Sequence, residues 1–196
     1  AQTLRAHRAS QGALDLETIE AQSVVGPDNT VNIELVHKGR ASRLIEDFMI
    51  SANVAMAEFL DARGSPTLRR VVRSPERWSR IVALAARLGT TLPPTPDSLA
   101  LSAFLVARQK ADPEQFADLS LAVVKLIGPG EYAAHMPGED DTGHFALATH
   151  DYTHSTAPNR RFADLVTRRL LKACLAGRPA PYPHDALVTV AAHCTD

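Results

Sequence analysis

The residues whose type and spacing best suit chemistry are two adjacent arginines, Arg160 and Arg161, which follow Pro158 in the stretch from Tyr152 to Leu165. Proline fits the first turn of a helix, where its missing N–H is no loss. The stretch therefore predicts an extended lead-in and a helix opening at Pro158, with Thr156 or Ala157 as its cap and both arginines in its first turn. Phe162, Leu165, Val166, Leu170, Ala173 and Cys174 follow at helical spacing and predict one apolar face, ended by Gly177 and Pro179. Free backbone N–H groups, the positive end of the helix dipole and two guanidiniums together make a phosphate seat. The dipole opposes arginine at that end, which points to an anionic partner. A plainer reading treats Arg160, Asp164 and Arg168 as a solvated i, i+4 charge ladder.

Other elements must hold that stretch in place. A long helix is predicted from Ser42 to Arg63, ended by Gly64 and Pro66. Ile45, Phe48, Met49, Ala52, Ala55, Met56, Phe59 and Leu60 form its broad apolar face, and Glu46 and Asn53 lie on the opposite stripe. A carboxylate at Glu46 is also what a helix start favours. Ser74-Pro75 opens a helix that runs to Gly89, with Trp78 on its apolar stripe; the stripe assigns Trp78 to the core rather than to base stacking. Asp97–Lys110 and Asp112–Ile127 predict two more helices, the second capped by Asp112 with Pro113 after it. Tyr132–His135 and Phe145–Ala148 predict strands on either side of an acidic loop at Gly138–Asp141. Upstream, residues 1–10 predict a short basic helix. Thr18–Val25 and Val31–Val36 flank Gly26-Pro27-Asp28-Asn29 and predict a hairpin. The whole predicts a mixed, helix-rich α/β fold, with long helices packed on a small, mostly antiparallel sheet.

The 196 residues suffice for one domain with a sizeable core, and 45% hydrophobic with 22% charged residues is ordinary for a globular chain. A net charge of −1 excludes a global basic footprint, so nucleic-acid affinity must come from a local patch. One candidate is residues 160–178, where Arg160, Arg161, Arg168, Arg169, Lys172 and Arg178 face Asp164 alone; charge runs of this kind also serve as solvated helix faces. Two cysteines, Cys174 and Cys194, predict reduced thiols in a cytoplasmic protein with neither disulfide nor zinc pattern. No apolar run reaches transmembrane length, and no membrane partner is expected. A start at Ala1 rather than Met suggests a piece of a longer protein.

Tyr152-Thr153-His154-Ser155-Thr156-Ala157-Pro158-Asn159-Arg160-Arg161-Phe162-Ala163-Asp164-Leu165 resembles a tract of the ribonuclease II/R (RNB) exoribonucleases, Y-T-x-F-T-S-P-I-R-R-Y-x-D-L. Gly143-His144-Phe145-Ala146-Leu147-Ala148 stands in front, like that family's G-H-F-G-L-A. Leu44-Ile45-Glu46-Asp47-Phe48-Met49-Ile50-Ser51-Ala52-Asn53 is similar to its L-[IV]-E-[ED]-F-M-L-L-A-N, and Gly12-Ala13-Leu14-Asp15 before a hairpin matches its order. Three positions depart: Ser155 replaces an aromatic, Ala157 a serine and Asn159 an isoleucine. The resemblance implies the C-terminal portion of a single RNB catalytic domain over residues 1–196, acting as a monomer on single-stranded RNA from the 3′ end. It implies Arg160 as the catalytic arginine on the scissile phosphate, and Glu46, with Asp47 as second choice, as the sensor of the ribose 2′-hydroxyl. Asn53, Tyr152, Thr156, Pro158, Arg161 and Arg168 are implied as further RNA-binding positions. An aromatic base clamp of some relatives falls near Leu16, where leucine would weaken it. The family's Mg²⁺ is implied as cofactor, with its aspartate quartet upstream of Gly12, outside this chain. The departures keep a second reading open, a catalytically inactive RNA-binding module.

Other chemistries lack their residues. There is no Ser/His/Asp signature, P-loop or G-x-G-x-x-G. His150 and His154 are four apart in an extended stretch, which does not place them on one face for zinc, alongside His135 and His144. Glu139, Asp140 and Asp141 read as a solvated loop rather than a site for a hard cation.

Overall fold

A computed structural model describes residues 1–17, 20–27, 29–36, 39–139 and 143–196. In chain order the elements are α1 (Gln2–Ser10), β1 (Glu20–Val25), β2 (Val31–Val36), α2 (Arg40–Ala62), β3 (Thr67–Val71), α3 (Trp78–Arg87), α4 (Ser98–Ala111), α5 (Phe116–Ile127), β4 (Glu131–His135), α6 (Phe162–Leu175) and α7 (His184–Thr195). The fold is thus helix-rich α/β, as the patterning predicts. β1 and β2 form an antiparallel hairpin with Val25 opposite Val31. β3 and β4 form a second antiparallel pair with Arg70 opposite Tyr132. Residues 152–155 run along the free side of β3, where Arg69 bridges Thr153 and Arg70 N–H donates to Tyr152 C=O at 2.8 Å.

Two apolar cores hold the molecule. The first joins α3, α4 and α5 through Trp78, Ile81, Ala85, Leu101, Phe104, Leu105, Phe116 and Val123. Trp78 is a core residue, edge-on to Phe145 at 6.2 Å, and its indole N–H donates to Pro93 C=O at 2.9 Å. Leu16 packs against the same core, so that side chain is wall rather than base clamp. The second core joins the end of α2, β3, α6 and α7 through Leu60, Leu68, Ala163, Val166, Leu170, Leu187 and Ala191. The Tyr152–Arg161 segment lies over this second core.

Four expectations are corrected. First, α2 buries the other face from the one its apolar residues mark. Asp47, Ile50, Asn53, Ala57 and Leu60 are buried, while Leu44, Ile45, Phe48 and Met49 are exposed, Phe48 by 52%. The partners explain it: α2 meets the arginines of α1 and the backbone of residues 152–155, and these call for polar side chains. Only near its end do Met56, Phe59 and Leu60 join an apolar core. Second, Pro158 opens a single turn rather than α6. Arg160 N–H and Arg161 N–H both donate to Ala157 C=O, and Arg161 is then extended (φ −124°, ψ 119°), so α6 begins at Phe162. Phe162 itself is exposed instead of facing inward. Third, Phe145–Leu147 is a 3₁₀ turn rather than a strand, closed by Leu147 N–H donating to His144 Nδ1 at 3.2 Å. Fourth, α3 and α5 each start a few residues late, because Pro75 and Pro113 each open a turn that leads directly into the helix, with Trp78 N–H donating to Pro75 C=O and Phe116 N–H to Pro113 C=O; Asp112 accepts from Gln115 N–H across the second. The end of α6 is as expected: Gly177 sits at φ 62°, a left-handed position glycine adopts without penalty. The hairpin loop at Asp28, residues 18–19 of the first hairpin run, and Asp140 and Asp141 of the acidic loop lie outside the described residues.

Candidate nucleic-acid interface

The segment Tyr152–Arg161 is a strap tied down from both sides. From α2, Asn53 reaches it three times. Its Nδ2 donates to Tyr152 Oη at 3.2 Å, and its Oδ1 accepts from both Ser155 N–H and Ser155 Oγ at 2.9 Å. From α6, Arg168 Nε donates to Ser155 C=O at 2.8 Å. Asp164, fully buried, accepts from Ala157 N–H at 2.8 Å and pairs with Arg161 through Oδ2 at 2.9 Å and Oδ1 at 2.8 Å. Thr153 Oγ1 donates to Leu68 C=O, fixing the strap to β3.

These ties sort the candidate residues. Arg161 is held by Asp164 and, at 3.4 Å, by Thr156 Oγ1. The plainer charge ladder does not form: Asp164 takes Arg161, not Arg160, and Arg168 turns to the strap backbone. Asn53, 2% exposed, and Tyr152, 7% exposed, face inward and shape the strap instead of presenting a surface to RNA. Arg160 differs from its neighbour. It is exposed, and among the described residues its side chain makes no hydrogen bond or ion pair. Thr156 and Arg168 line a groove of about 420 Å³ between the strap, Ala52 and Met56 of α2, and Leu171 and Lys172 of α6. Glu46 stands on the same stripe of α2 as Asn53, seven residues or roughly 10 Å before it along the helix. Asp47 is buried and paired with Arg8 at 2.6 Å and Arg5 at 3.2 Å.

Beside the strap, four rings and a cation stack. Tyr152 meets His144 and His154 edge-on at 5.3 and 5.6 Å, and His154 meets Tyr132 at 5.7 Å. His154 Nδ1 and Tyr132 Oη are hydrogen-bonded at 2.7 Å. The Arg70 guanidinium lies 4.8 Å over the Tyr132 ring. Tyr152, His154 and His144 belong to the two quoted tracts, whereas Tyr132 and Arg70 lie outside them. β3 is not anticipated from the sequence; within it Arg69 is buried against Asp151 at 2.8 Å and Asp61 at 3.7 Å.

Burial, with the Arg161 charge next in weight, pushes His154 down to about 4; burial and the Arg70 charge do the same for His144. Both rings are therefore neutral at pH 7. The unfolded chain binds protons near 6.5 and the folded one does not until about 4. Stability is present above about pH 6.5 and is lost as pH falls toward 4, by on the order of 2 kcal/mol per ring once partial exposure is allowed for. Thermal melts between pH 7 and 4.5 should show the drop, and His154→Gln should remove about half of it; an unchanged pH profile in the variant would exclude His154 as a source.

Asn53→Ala should destabilise the chain by about 2–4 kcal/mol, since it leaves the Ser155 N–H, the Ser155 hydroxyl and the Tyr152 hydroxyl without a partner. Urea denaturation checks this; a loss below 1 kcal/mol would mean the strap is held elsewhere.

Among the described residues no three His, Cys, Asp or Glu side chains gather to hold a metal. The carboxylates nearest the strap, Asp47, Asp61, Asp151 and Asp164, each face an arginine. The described residues do not fit a metal pair.

Residues 1–177 match the RNB domain. The chain belongs to the RNB domain family. This RNB chain is 33% identical to Ribonuclease R 1 of Lactococcus lactis over 181 residues, covering 89% of the chain and 21% of that protein. It spans about a fifth of the length of the curated relatives it matches. Among solved structures, the RNase R of Mycoplasma genitalium in complex with double-stranded RNA aligns over 99% of the chain and 34% of its own, with TM-score 0.77 and 22% identity. Yeast Ssd1, described as a pseudonuclease, aligns over 81% of the chain and 20% of its own, with TM-score 0.68 and 22% identity. At such identities both likenesses speak for the RNB fold. No helix among the described residues is long and apolar enough to cross a membrane.

Proposed function

We propose that this RNB chain is the C-terminal, phosphate-binding portion of a catalytic domain that hydrolyses single-stranded RNA from the 3′ end. The observation that carries this reading is the contrast between two neighbours: Arg161 is consumed by Asp164, and that pairing holds the turn from which Arg160 projects uncommitted. A guanidinium free of internal partners on a rigid, side-chain-tied backbone is pre-organised to receive phosphate charge. Thr156, Pro158 and Arg168 flank the path of the RNA beside it, and Glu46 tests for the 2′-hydroxyl. The family's Mg²⁺ would be held by carboxylates elsewhere in the parent polypeptide, which we take to be cytoplasmic and monomeric. Decay of a labelled single-stranded RNA, measured with the intact parent polypeptide and with this chain alone, tests the reading. Activity is expected from the first and none from the second; an inactive parent would reject hydrolysis.

A second reading, an RNA clamp without catalysis, draws on the pseudonuclease of the same fold and on Ser155, Ala157 and Asn159. Ser155 counts against decay of the strap, because its hydroxyl adds a bond to Asn53 that an aromatic ring could not make. RNA binding by an inactive parent would favour the clamp.

A further inference from the structure

Arg70 is not part of either sequence motif, yet it stands in the ring cluster beside the strap. Its backbone N–H donates to Tyr152 C=O, and its guanidinium carbon lies over the ring of Tyr132, opposite it in the sheet, 4.8 Å from the ring centre. Tyr132 in turn is hydrogen-bonded to His154 of the strap. The placement requires Gly130. A Cβ there would come within 2.7 Å of Arg70 Nη2 and 2.9 Å of Cζ, so the backbone has made room for the guanidinium. A cation–π contact engages the charge of the guanidinium and is not itself an N–H hydrogen bond. Among the described residues the Arg70 side chain has no hydrogen bond or ion pair to fill them.

Arg70 faces Tyr132, Tyr132 is bonded to His154 of the strap, and Arg160 projects from the turn that ends the same strap, beside Arg161. Asp164 neutralises Arg161. Two positive charges remain near one neutral floor of His154 and Tyr132, with donors unfilled. A cation–π contact alone would account for a single stacked arginine, worth about 0.5–1 kcal/mol. It does not account for a second arginine, Arg160, on the same strap that is without a side-chain hydrogen bond or ion pair among the described residues.

We infer that Arg70 is a second phosphate-binding residue, which together with Arg160 takes up backbone phosphate of single-stranded RNA over the His154–Tyr132 floor. This rests on the RNA reading above.

The test is titration of this chain with a fluorescently labelled oligoadenylate across 50–300 mM salt, for wild type, Arg70→Gln and Gly130→Ala. Each single-stranded phosphate contact contributes about 0.7 to the slope of log K against log salt. Arg70→Gln should lower that slope by about 0.7 and weaken binding about three- to tenfold. Gly130→Ala removes no charge and displaces only the flexible end of Arg70, so it should fold normally and weaken binding about two- to fivefold. It decides the matter if the glutamine variant does not fold. Wild-type slope and affinity in Gly130→Ala and in any folded Arg70→Gln would overturn the Arg70 assignment while leaving the RNA reading intact. Failure of wild type itself to bind at 50 mM salt would overturn both.

Discussion

Arg160→Ala in the intact parent polypeptide should lower turnover about 10²- to 10³-fold, with RNA affinity changed far less. The size follows from removing one pre-organised donor from charge that develops in the transition state. The selectivity follows from geometry. Arg160 is exposed and makes no side-chain hydrogen bond or ion pair among the described residues, so its loss breaks nothing in the folded chain. The variant should melt within a degree or so of wild type. Binding largely survives, because Arg168 and the other cations around the strap remain. Arg160→Lys should recover only part of the rate, since an ammonium keeps the charge without the planar fork. Single-turnover decay of a labelled RNA separates the chemical step from affinity. Turnover within threefold of wild type would remove Arg160 from catalysis.

Asp164→Ala should do the reverse and destabilise the fold by about 3–5 kcal/mol. The carboxylate is fully buried, and it answers two groups at once: the Arg161 guanidinium and the Ala157 N–H. Without it a half-buried cation loses its counter-charge, and the turn that carries Arg160 loses its anchor. Asp164→Asn should cost less, because the amide oxygen can still accept from Ala157. Urea titration of both variants checks the order; equal stability of wild type and Asp164→Ala would mean that the pair forms no part of the strap's support.

What could be read in the residue order was local. Pro158, Pro75 and Pro113 mark turns, but only after Pro158 does the chain straighten before its helix, at Arg161, whose side chain pairs with Asp164. Asp97 capped α4 as its type suggests, accepting from Ala100 N–H at 2.9 Å. The face of α2 was misread for a physical reason. Apolar periodicity reports where oil would go, whereas Asp47 and Asn53 are buried by specific polar partners that lie 39 to 102 residues away. β3 escaped notice because its two arginines look solvated until Asp151, Asp61 and Tyr132 are placed around them. The RNB tracts did locate the strap and both arginines, but not that one arginine would brace the other's support.

Asn53 and Ser155 meet across 102 positions of sequence, and Arg168 closes the same knot from farther on. During synthesis, then, α2 emerges with the arginines of α1 ready for Asp47 but long before the strap exists for Asn53 to grip, and loop-closure entropy over that length must be overcome in one late step. A ribosome that stops short of the strap and α6 releases a polypeptide whose α2 is formed but whose Asn53 has nothing to hold.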